Sequence, residues 1–410
     1  MKEKPAHAPI NQFPVINGEL HVGGISISRL AERVGQTPFY AYDRNLITQR
    51  IKLLRDSFPE ALHLHYAIKA NPMPAVVQHL AGLVDGFDLA SAGEMKTALD
   101  TTMPADKISF AGPGKTNKEL KQAIAAGIII NIESEGEMRR IAQHAQQLGL
   151  RPKVAVRINP DFELKSSGMK MGGGPKQFGV DAERVPAMLK ELANLDLEFY
   201  GFHIYCGSQN LRNSAIIEAQ QKTFDLATQM AEHAPTPVKL LNIGGGLGIP
   251  TFPGDRHLDI KPIGEYLFNQ ISKIETALPK AEIIMELGRF IVGEAGVYIS
   301  RVIDKKISRG QTFLITDGGM HHHLSASGNF GQVVRKNHPI GIANKIDAPN
   351  TELTNIVGPL CTPLDILADN MNLPNADIDD LVVVFQSGAY GYSASPHNFL
   401  NHPPALELLV

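Results

Sequence analysis

The stretch LHLHYAIKANPMPAVVQHLAGLVDGFDLAS, residues 62–91, decides the predicted fold. It contains two short aliphatic runs, 62–70 and 84–91, and between them a segment with helical spacing, 74–80. A helix between two apolar strands is typical of a parallel β–α–β unit, because parallel strands need a long crossover connection. The sequence therefore predicts a parallel sheet that begins near residue 62.

The same alternation continues to residue 292. Six further apolar runs occupy 107–115, 127–134, 153–160, 197–209, 239–248 and 281–292. The remaining segments with helical periodicity are 45–58, 93–101, 117–126, 135–148, 182–193, 214–232 and 263–276. Eight strands that alternate with helices predict an α/β fold closed as a (β/α)₈ barrel of the TIM type.

From about Gly296 the periodicity changes. Residues 296–319, 351–359, 380–390 and 404–410 read as strands with turn residues and little helix between them. We predict a barrel domain at 45–293 and a C-terminal all-β domain, sandwich-like or barrel-like, at 294–410. The segment GELHVGGISISRL, 18–30, also contains short strands. Residues 1–44 are therefore predicted to contribute strands to the β domain.

Composition excludes several classes of protein. The 410 residues carry a formal net charge of −3, which gives no electrostatic reason to expect a nucleic-acid or membrane partner. Residues 1–18 lack the apolar core of a signal peptide, and no apolar run reaches the ~18 residues of a membrane span. Cys206 and Cys361 alone cannot form a disulfide framework. We expect a cytoplasmic protein.

Polar residues recur where the predicted barrel strands end. Active sites of such barrels are built at the C-terminal ends of the strands, so we expect these side chains to converge on one pocket. The residues at those ends are Lys69, Asp88, Arg157, His203, Gly207, Ser208, the glycine run 244–246, Glu286 and Arg289.

Lys69 is a candidate nucleophile. A lysine that is desolvated or near other cations attacks an aldehyde, although an ordinary solvated lysine at a strand end is an alternative reading. The sequence IGGGLG, 243–248, offers backbone N–H groups to a phosphate, but a tight turn also explains its glycines. Arg289 could bind the same phosphate or form a surface ion pair.

Three further side chains carry possible chemistry. Glu286 lies in an apolar strand and needs a cationic partner, either a protonated pyridine nitrogen or a nearby arginine. His203 could stack on a flat ring, transfer a proton or be a satisfied core histidine. Cys361 could protonate a carbanion, or be a packed thiol as we interpret Cys206.

Two motifs are less specific. His321–His323 resemble a metal cluster, but adjacent residues of a strand point to opposite faces, so no metal site is predicted. GMKMGGGPKQFG, 168–179, follows the fifth predicted strand. It is either a mobile loop over the site or an ordinary long connection.

Seven motifs together resemble the fold-type III pyridoxal-phosphate decarboxylases, which act on diaminopimelate, ornithine or arginine. The resemblance extends from about Thr37 to Pro403, and it is strongest to a bacterial subgroup described as exosortase-associated pyridoxal-dependent decarboxylases. It implies an alanine-racemase-like pairing of barrel and β domain. In the order and at the spacing of the family, the motifs are YAIKAN (66–71), DLASAGE (88–94), HIYCGSQ (203–209), IGGGLG (243–248), ELGR (286–289), GPLCTPLD (358–365) and GAYG (388–391).

The resemblance implies a role for each matching residue. Lys69 would hold pyridoxal 5'-phosphate as a Schiff base near Asp88, and Glu286 would pair with the pyridine nitrogen. Cys361 would protonate the substrate carbon from the partner subunit of a head-to-tail homodimer with shared sites. The catalytic set would be Lys69, Cys361, His203 and Asp88. The cofactor would also contact Arg157, Ser208, Gly245, Gly246, Gly288, Arg289 and Tyr390, and the substrate would contact Thr362, Asp365 and Tyr390.

Two positions depart from the diaminopimelate-specific pattern. Family members with that specificity carry an acidic residue directly after the catalytic cysteine, where this chain has Thr362. They also carry an arginine after an Asp-Ala-Gly-Met-like motif, and here Ser325 stands about there, after DGGM (317–320). The resemblance therefore implies an intact cofactor site with altered recognition of the substrate's distal end.

The expected function is decarboxylation of an amino acid or a diamino acid. A true diaminopimelate decarboxylase of lysine biosynthesis is an alternative. An amino-acid racemase would place an arginine at the pyridine nitrogen, so Glu286 and Cys361 argue against it. A non-catalytic pyridoxal-phosphate carrier would resemble the barrel alone, and the β domain disfavours that reading.

Overall fold

A computed structural model describes residues 5–163 and 168–410, and the chain divides into two compact units. The first, called the barrel unit, comprises residues 50–248 and 258–288. The second, called the β unit, comprises residues 1–49, 249–257 and 289–410. The domain boundaries drawn from the sequence stay predictions.

The barrel unit contains a closed barrel of eight parallel strands, as predicted. The last strand pairs with the first, and the fourth with the fifth, so that the ladder runs around the whole circle. The strands are Leu62–Ala67, Gly86–Leu89, Ile108–Phe110, Ile129–Ile132, Lys153–Asn159, Glu198–Ile204, Leu240–Gly245 and Glu282–Leu287.

Helices precede or connect these strands close to the predicted positions. They are Arg44–Ser57, Pro74–Ala81, Ala92–Leu99, Asn117–Ala126, Glu135–Leu148, Val185–Leu192, Asn213–Ala231 and Lys261–Ala277. Three of them begin after a hydroxyl side chain, because the oxygens of Ser91, Thr116 and Ser134 accept the backbone N–H three residues later. The predicted helix at 182–193 opens with a 3₁₀ turn, Ala182–Arg184.

The β unit is built on a six-strand path. In spatial order the strands are Ile340–Ile342, Leu381–Val384, Gly296–Ser308, Gln311–Thr316, Glu352–Val357 and Ile366–Leu373. Strand Phe39–Tyr42 joins this sheet beside Gly296–Ser308 and also pairs with Leu406–Leu409. The sequence analysis missed Ile340–Ile342, which is only three residues long, and Ile366–Leu373, whose polar residues obscure the strand pattern.

The early strands lie in the β unit but form a small sheet of their own. Strands Val15–Ile16, Glu19–Val22 and Ile25–Ser26 pair with one another in a separate three-stranded sheet, followed by helix Ile27–Val34. They contribute Leu20 and Val22 to a buried apolar cluster of the β unit rather than extending its larger sheet. Within the described ranges, no helix has the length and apolar character that a membrane crossing requires.

Candidate active site

Strand periodicity places a layer of polar side chains inside the barrel. Ile129, Ala155, Leu240 and Ile284, one from each of four strands, form a buried apolar cluster. Two residues further along these strands, on the same face, come Asn131, Arg157, Asn242 and Glu286, all buried. The interior therefore changes from apolar to polar toward the C-terminal ends of the strands, where sequence analysis placed the site.

Lys69 does not lie on a strand. The first strand ends at Ala67, and Lys69 is the middle residue of a 3₁₀ turn, Ile68–Ala70. Its exposed side chain places Nζ 5.6 Å from the centroid of the Tyr205 ring. Gly288 packs against this turn, where a β-carbon would lie only 2.8 Å from that of Ala70. The missing side chain of Gly288 thus leaves room for the lysine turn.

Glu286 and His203 form a buried pair. Oε2 of Glu286 lies 3.2 Å from Nε2 of His203 and accepts a hydrogen bond of 3.1 Å from Nδ2 of Asn242. Burial raises the pKa of the Glu286 carboxyl, but His203, Lys69 and Arg157 lower it more, and the net pKa lies well below the usual range. Glu286 is therefore an anion at neutral pH. The sequence analysis offered a pyridine nitrogen or a nearby arginine as the partner of Glu286. Within the chain, the contacts are instead a histidine and an asparagine.

Asp88 belongs to a second buried polar group. Oγ of Ser109 donates to its Oδ1 at 2.5 Å, and Nδ1 of His65 lies 3.4 Å from its Oδ2. Nδ2 of Asn131 donates in turn to Ser109. The strand register produces this group, since Asp88 is the partner of Ser109 in the parallel ladder.

The loops after the sixth and seventh strands are joined near the predicted phosphate ligands. The amide of Asn210 donates to the carbonyl of Gly246 at 2.9 Å. Gly246 has a φ of +81°, and a β-carbon on Gly245 would lie 2.0 Å from the carbonyl oxygen of Glu286. The glycines thus permit a left-handed turn and a close strand contact, as the alternative reading held. Neither requirement prevents their amides from binding a phosphate.

Several buried polar atoms in the described part of the barrel unit have no hydrogen-bond partner. They include Oγ of Ser208 and Nδ1 of His203. Buried polar atoms are almost always hydrogen-bonded, and a phosphate would supply the acceptor that Oγ of Ser208 lacks. The Glu286 anion is available to a cationic ring nitrogen.

Arg289 and Tyr390 lie together within the β unit. Arg289 begins a short helix, Arg289–Val292, and its guanidinium carbon is 4.7 Å from the centroid of the Tyr390 ring. Tyr390 has a φ of +56°, which is uncommon for a residue with a side chain. The stacking brings together two residues that the sequence assigned to the phosphate end of the cofactor.

Cys361 is exposed in a loop of the β unit that Asp365 shapes. Oδ1 of Asp365 accepts the Met320 amide at 2.6 Å, and Oδ2 accepts the Leu360 amide at 2.9 Å. Asp365 is 2% exposed, so its carboxylate is occupied by the backbone. Asp365 therefore sets the conformation of the Cys361 loop, and its contact with the substrate stays a prediction. Thr362 is half-buried.

Cys206 matches its interpretation as a packed thiol. It is buried, with Sγ 3.7 Å from Oγ1 of Thr223. Burial raises the pKa of this thiol to about 11. A thiol with so high a pKa is a poor nucleophile and a poor proton donor at neutral pH.

His321–His323 lie in a turn, so the strand argument used against a metal site was wrong. All three are buried, and the rings of His321 and His322 are 3.7 Å apart between centroids. In the part of the chain that the structure describes, no group of three or more potential ligands is arranged to hold a metal ion. The cluster also includes His402, whose ring centroid is 5.0 Å from that of His321.

This cluster should make the protein sensitive to acid. Burial, reinforced by neighbouring histidines, lowers the pKa of His321 to about 3 and of His322 to about 4. The unfolded chain, with an ordinary pKa near ~6.5, binds these protons first, so stability is complete above that pH and falls as the pH drops toward 4. The loss should approach ~1.4 kcal/mol per pH unit for each buried histidine.

Urea unfolding between pH 7.5 and 4.5 measures this slope. His321→Gln should flatten it, whereas the control His233→Gln should not, because His233 is exposed in the folded chain. An identical slope in wild type and His321→Gln would contradict the assignment.

The sequence analysis missed several residues that the structure brings into the site. His65, Asn131 and Asn242 each interrupt an apolar strand, and that interruption was an available signal. Glu133 and Lys115 were harder to identify from the sequence, because they lie in loops beyond the strand ends. Glu133 accepts a hydrogen bond of 2.8 Å from Nη1 of Arg157.

Comparisons with known proteins show the family to which the chain belongs. Residues 44–293 match the sequence model described as pyridoxal-dependent decarboxylase, pyridoxal binding domain. The chain is 38% identical to L-glutamyl-(BtrI acyl-carrier protein) decarboxylase of Niallia circulans, covering 93% of this chain and 90% of the relative. It is 34% identical to diaminopimelate decarboxylase of Aquifex aeolicus, covering 96% and 91%. A crystal structure of Helicobacter pylori diaminopimelate decarboxylase complexed with L-lysine superposes with a TM-score of 0.82 at 29% identity, covering 93% and 94%.

Proposed function

Because the chain belongs to the pyridoxal-dependent decarboxylase family, we propose that it removes the α-carboxyl group of an amino acid whose distal end is covalently linked to another molecule. The cofactor is pyridoxal 5'-phosphate and the reaction class is that of a carboxy-lyase. The racemase and carrier alternatives lose their support, since the relatives reported above are named decarboxylases. The identity of the substrate and the roles of individual residues are the proposal.

The buried Glu286 anion is the observation that carries the proposed chemistry. Pyridoxal phosphate supplies an electron sink for the electron pair that the departing carboxylate leaves behind. The carboxylate of Glu286 would face the pyridine nitrogen and keep a proton on it. Its low pKa suits this task, because a carboxylate that titrated near neutrality would release the ring nitrogen.

The other residues would hold and orient the reactants. Nζ of Lys69 would hold the cofactor aldehyde, and the ring of His203 would stack on the pyridine. The amides of Gly245, Gly246 and Gly288 would hold the phosphate, with Oγ of Ser208 and the Arg289 guanidinium. Asp88 would face Lys69, and Tyr390 would lie near the phosphate. Sγ of Cys361 would deliver a proton to the carbon that lost carbon dioxide.

Uncharged side chains at two positions support a linked substrate. Thr362 follows Cys361 in place of an acid. Ser325 stands where an arginine would recognise a carboxylate, and its Oγ is 3.4 Å from Nε2 of His338. The free distal end of diaminopimelate would bring both an ammonium and a carboxylate to these neutral groups. The relative from Niallia circulans is named for a glutamyl group attached to a carrier protein, and it supplies the model for such a linkage.

We expect meso-diaminopimelate to be a poor substrate. Its distal ammonium and carboxylate would lose their hydration on binding, and Thr362 and Ser325 offer no charge to replace it. The value of kcat/KM should therefore lie about 100-fold or more below that of the best substrate. A carbon-dioxide release assay should compare meso-diaminopimelate, lysine, ornithine, arginine, glutamate and a glutamyl pantetheine thioester. The highest kcat/KM for meso-diaminopimelate would instead identify a diaminopimelate decarboxylase.

A homodimer with shared sites is also part of the proposal. Such an arrangement gives the exposed Cys361 a function, because its thiol would serve the site of the partner subunit. A cytoplasmic location stays a prediction from the sequence.

A further inference from the structure

Arg157 is held by a buried ionic network in the barrel unit. Its Nη1 donates to Oε1 of Glu133 at 2.8 Å, and the two side chains are 8% and 2% exposed. Lys115, 1% exposed, contacts both carboxylate oxygens of Glu137 at 3.0 and 3.1 Å. Glu137 joins the two pairs, because its Oε2 accepts the backbone amide of Glu133 at 2.8 Å.

Glu133 uses both carboxylate oxygens for three donors, one in the fifth barrel strand and two in loops. Oε1 accepts Nη1 of Arg157 at 2.8 Å and the Gly112 amide at 2.5 Å, while Oε2 accepts the Gly179 amide at 3.1 Å. Burial raises the pKa of Glu133, but the charges of Arg157 and Lys115 outweigh it, and the pKa lies below the usual range. The Glu133 carboxylate is therefore ionised and accepts a hydrogen bond from each of these three donors.

The same carboxylate anchors one end of the glycine-rich segment 168–179. At its other end, this segment pairs with the strand that contains Ser208, since Met169 is the ladder partner of Ser208. Near Gly179, the ring centroid of Phe178 lies 4.9 Å from the guanidinium carbon of Arg157. The described part of this segment is thus attached to elements that carry two proposed cofactor ligands. The Met169–Ser208 pairing and the Gly179–Glu133 hydrogen bond thus attach both ends of the segment.

We propose that Glu133 is the positioning residue that orients Arg157 and fastens the glycine-rich segment to the active site. The inference rests on the proposed function, because Arg157 matters to turnover only if it flanks the cofactor. One carboxylate would then coordinate the loops after the third, fourth and fifth barrel strands. Arg157 also contributes to the low pKa of Glu286, so its orientation bears on the charge at the pyridine nitrogen.

Glu133→Gln tests this role, since a glutamine keeps the shape but offers one acceptor oxygen where three donors converge. In one orientation its NH₂ group would face the donors of Arg157 and Gly112, and in the other it would face the Gly179 amide. Either orientation places a donor against a donor. In the holoenzyme, kcat/KM should fall ~10- to 100-fold, the effect expected of a catalytic-site group displaced by about an ångström. Hydrogen exchange of a peptide spanning Gly179 should accelerate, and the apoprotein should bind pyridoxal phosphate more weakly.

Glu137→Gln is the matched control. Glu137 is similarly buried in the same network, but its partners are Lys115 and the Glu133 amide, whereas Arg157 donates to Glu133. Both variants should lose stability, yet Glu137→Gln should keep kcat/KM within about threefold of wild type. Glu133→Asp, which retains both acceptor oxygens, should restore part of the activity lost in Glu133→Gln.

Equal losses of kcat/KM in Glu133→Gln and Glu137→Gln would overturn the proposal, as would unchanged exchange at Gly179 in Glu133→Gln. Failure of the wild type to decarboxylate any amino acid would count against the proposed function alone. In that case the exchange of Gly179 and the cofactor titration still decide whether Glu133 holds Arg157 and the segment.

Discussion

Lys69→Ala should abolish the yellow absorbance of the purified protein. The colour arises when the cofactor aldehyde is joined to a lysine, and alanine offers no amine to form that link. Turnover should fall on the order of a thousandfold or more, because the group that holds the cofactor acts as a unit with the rest of the site. Visible absorbance spectra of the purified protein freed of unbound cofactor check the first part, and steady-state rates measured with added pyridoxal phosphate check the second.

The control is Lys107→Ala. Lys107 pairs with Glu282 and directly precedes the third barrel strand, at the N-terminal ends of the strands. This variant should keep its colour. Borohydride reduction of the wild type, followed by peptide mapping, should place the cofactor label on Lys69. Label on any other lysine, or a wild-type spectrum in Lys69→Ala, would refute the assignment.

Cys361→Ala should separate cofactor binding from turnover. The variant should retain the wild-type absorbance, because Cys361 is proposed to act only after the carboxylate has left. Its kcat should fall about 10²- to 10⁴-fold, the usual contribution of a positioned general acid, and products protonated at the wrong carbon should appear. Spectra, rates and product analysis together measure the effect.

Cys206→Ala is the comparison for the thiol. Cys206 is buried, so its loss should lower the melting temperature with little change in kcat. Wild-type turnover in Cys361→Ala would exclude the thiol as the proton donor.

Mixed dimers test whether the sites are shared. Subunits carrying Lys69→Ala and Cys361→Ala, each inactive alone, should recover up to about a quarter of wild-type activity when they are co-expressed. Half of the randomly formed dimers are mixed, and each has one intact site. No recovery would place Lys69 and Cys361 in the same subunit's site.

The sequence by itself determined the eight-stranded barrel, the β-rich second unit and the cofactor family. Those features depend on local patterns, namely apolar runs that alternate with amphipathic segments, and on motifs whose order can be read along the linear sequence. Lys69, Glu286 and Ser208 could be identified because each interrupts or ends such a run.

Tertiary structure alone decided which groups touch. Strand register puts His203 beside Arg157 and Asn242 on neighbouring strands, although 46 residues separate the first two along the chain and 39 the other pair. It also showed that Asp365 accepts two backbone amides of the Cys361 loop region and that Glu133 accepts a hydrogen bond from Arg157. The partners of a carboxylate depend on distances and desolvation in the folded chain, and a linear sequence specifies neither.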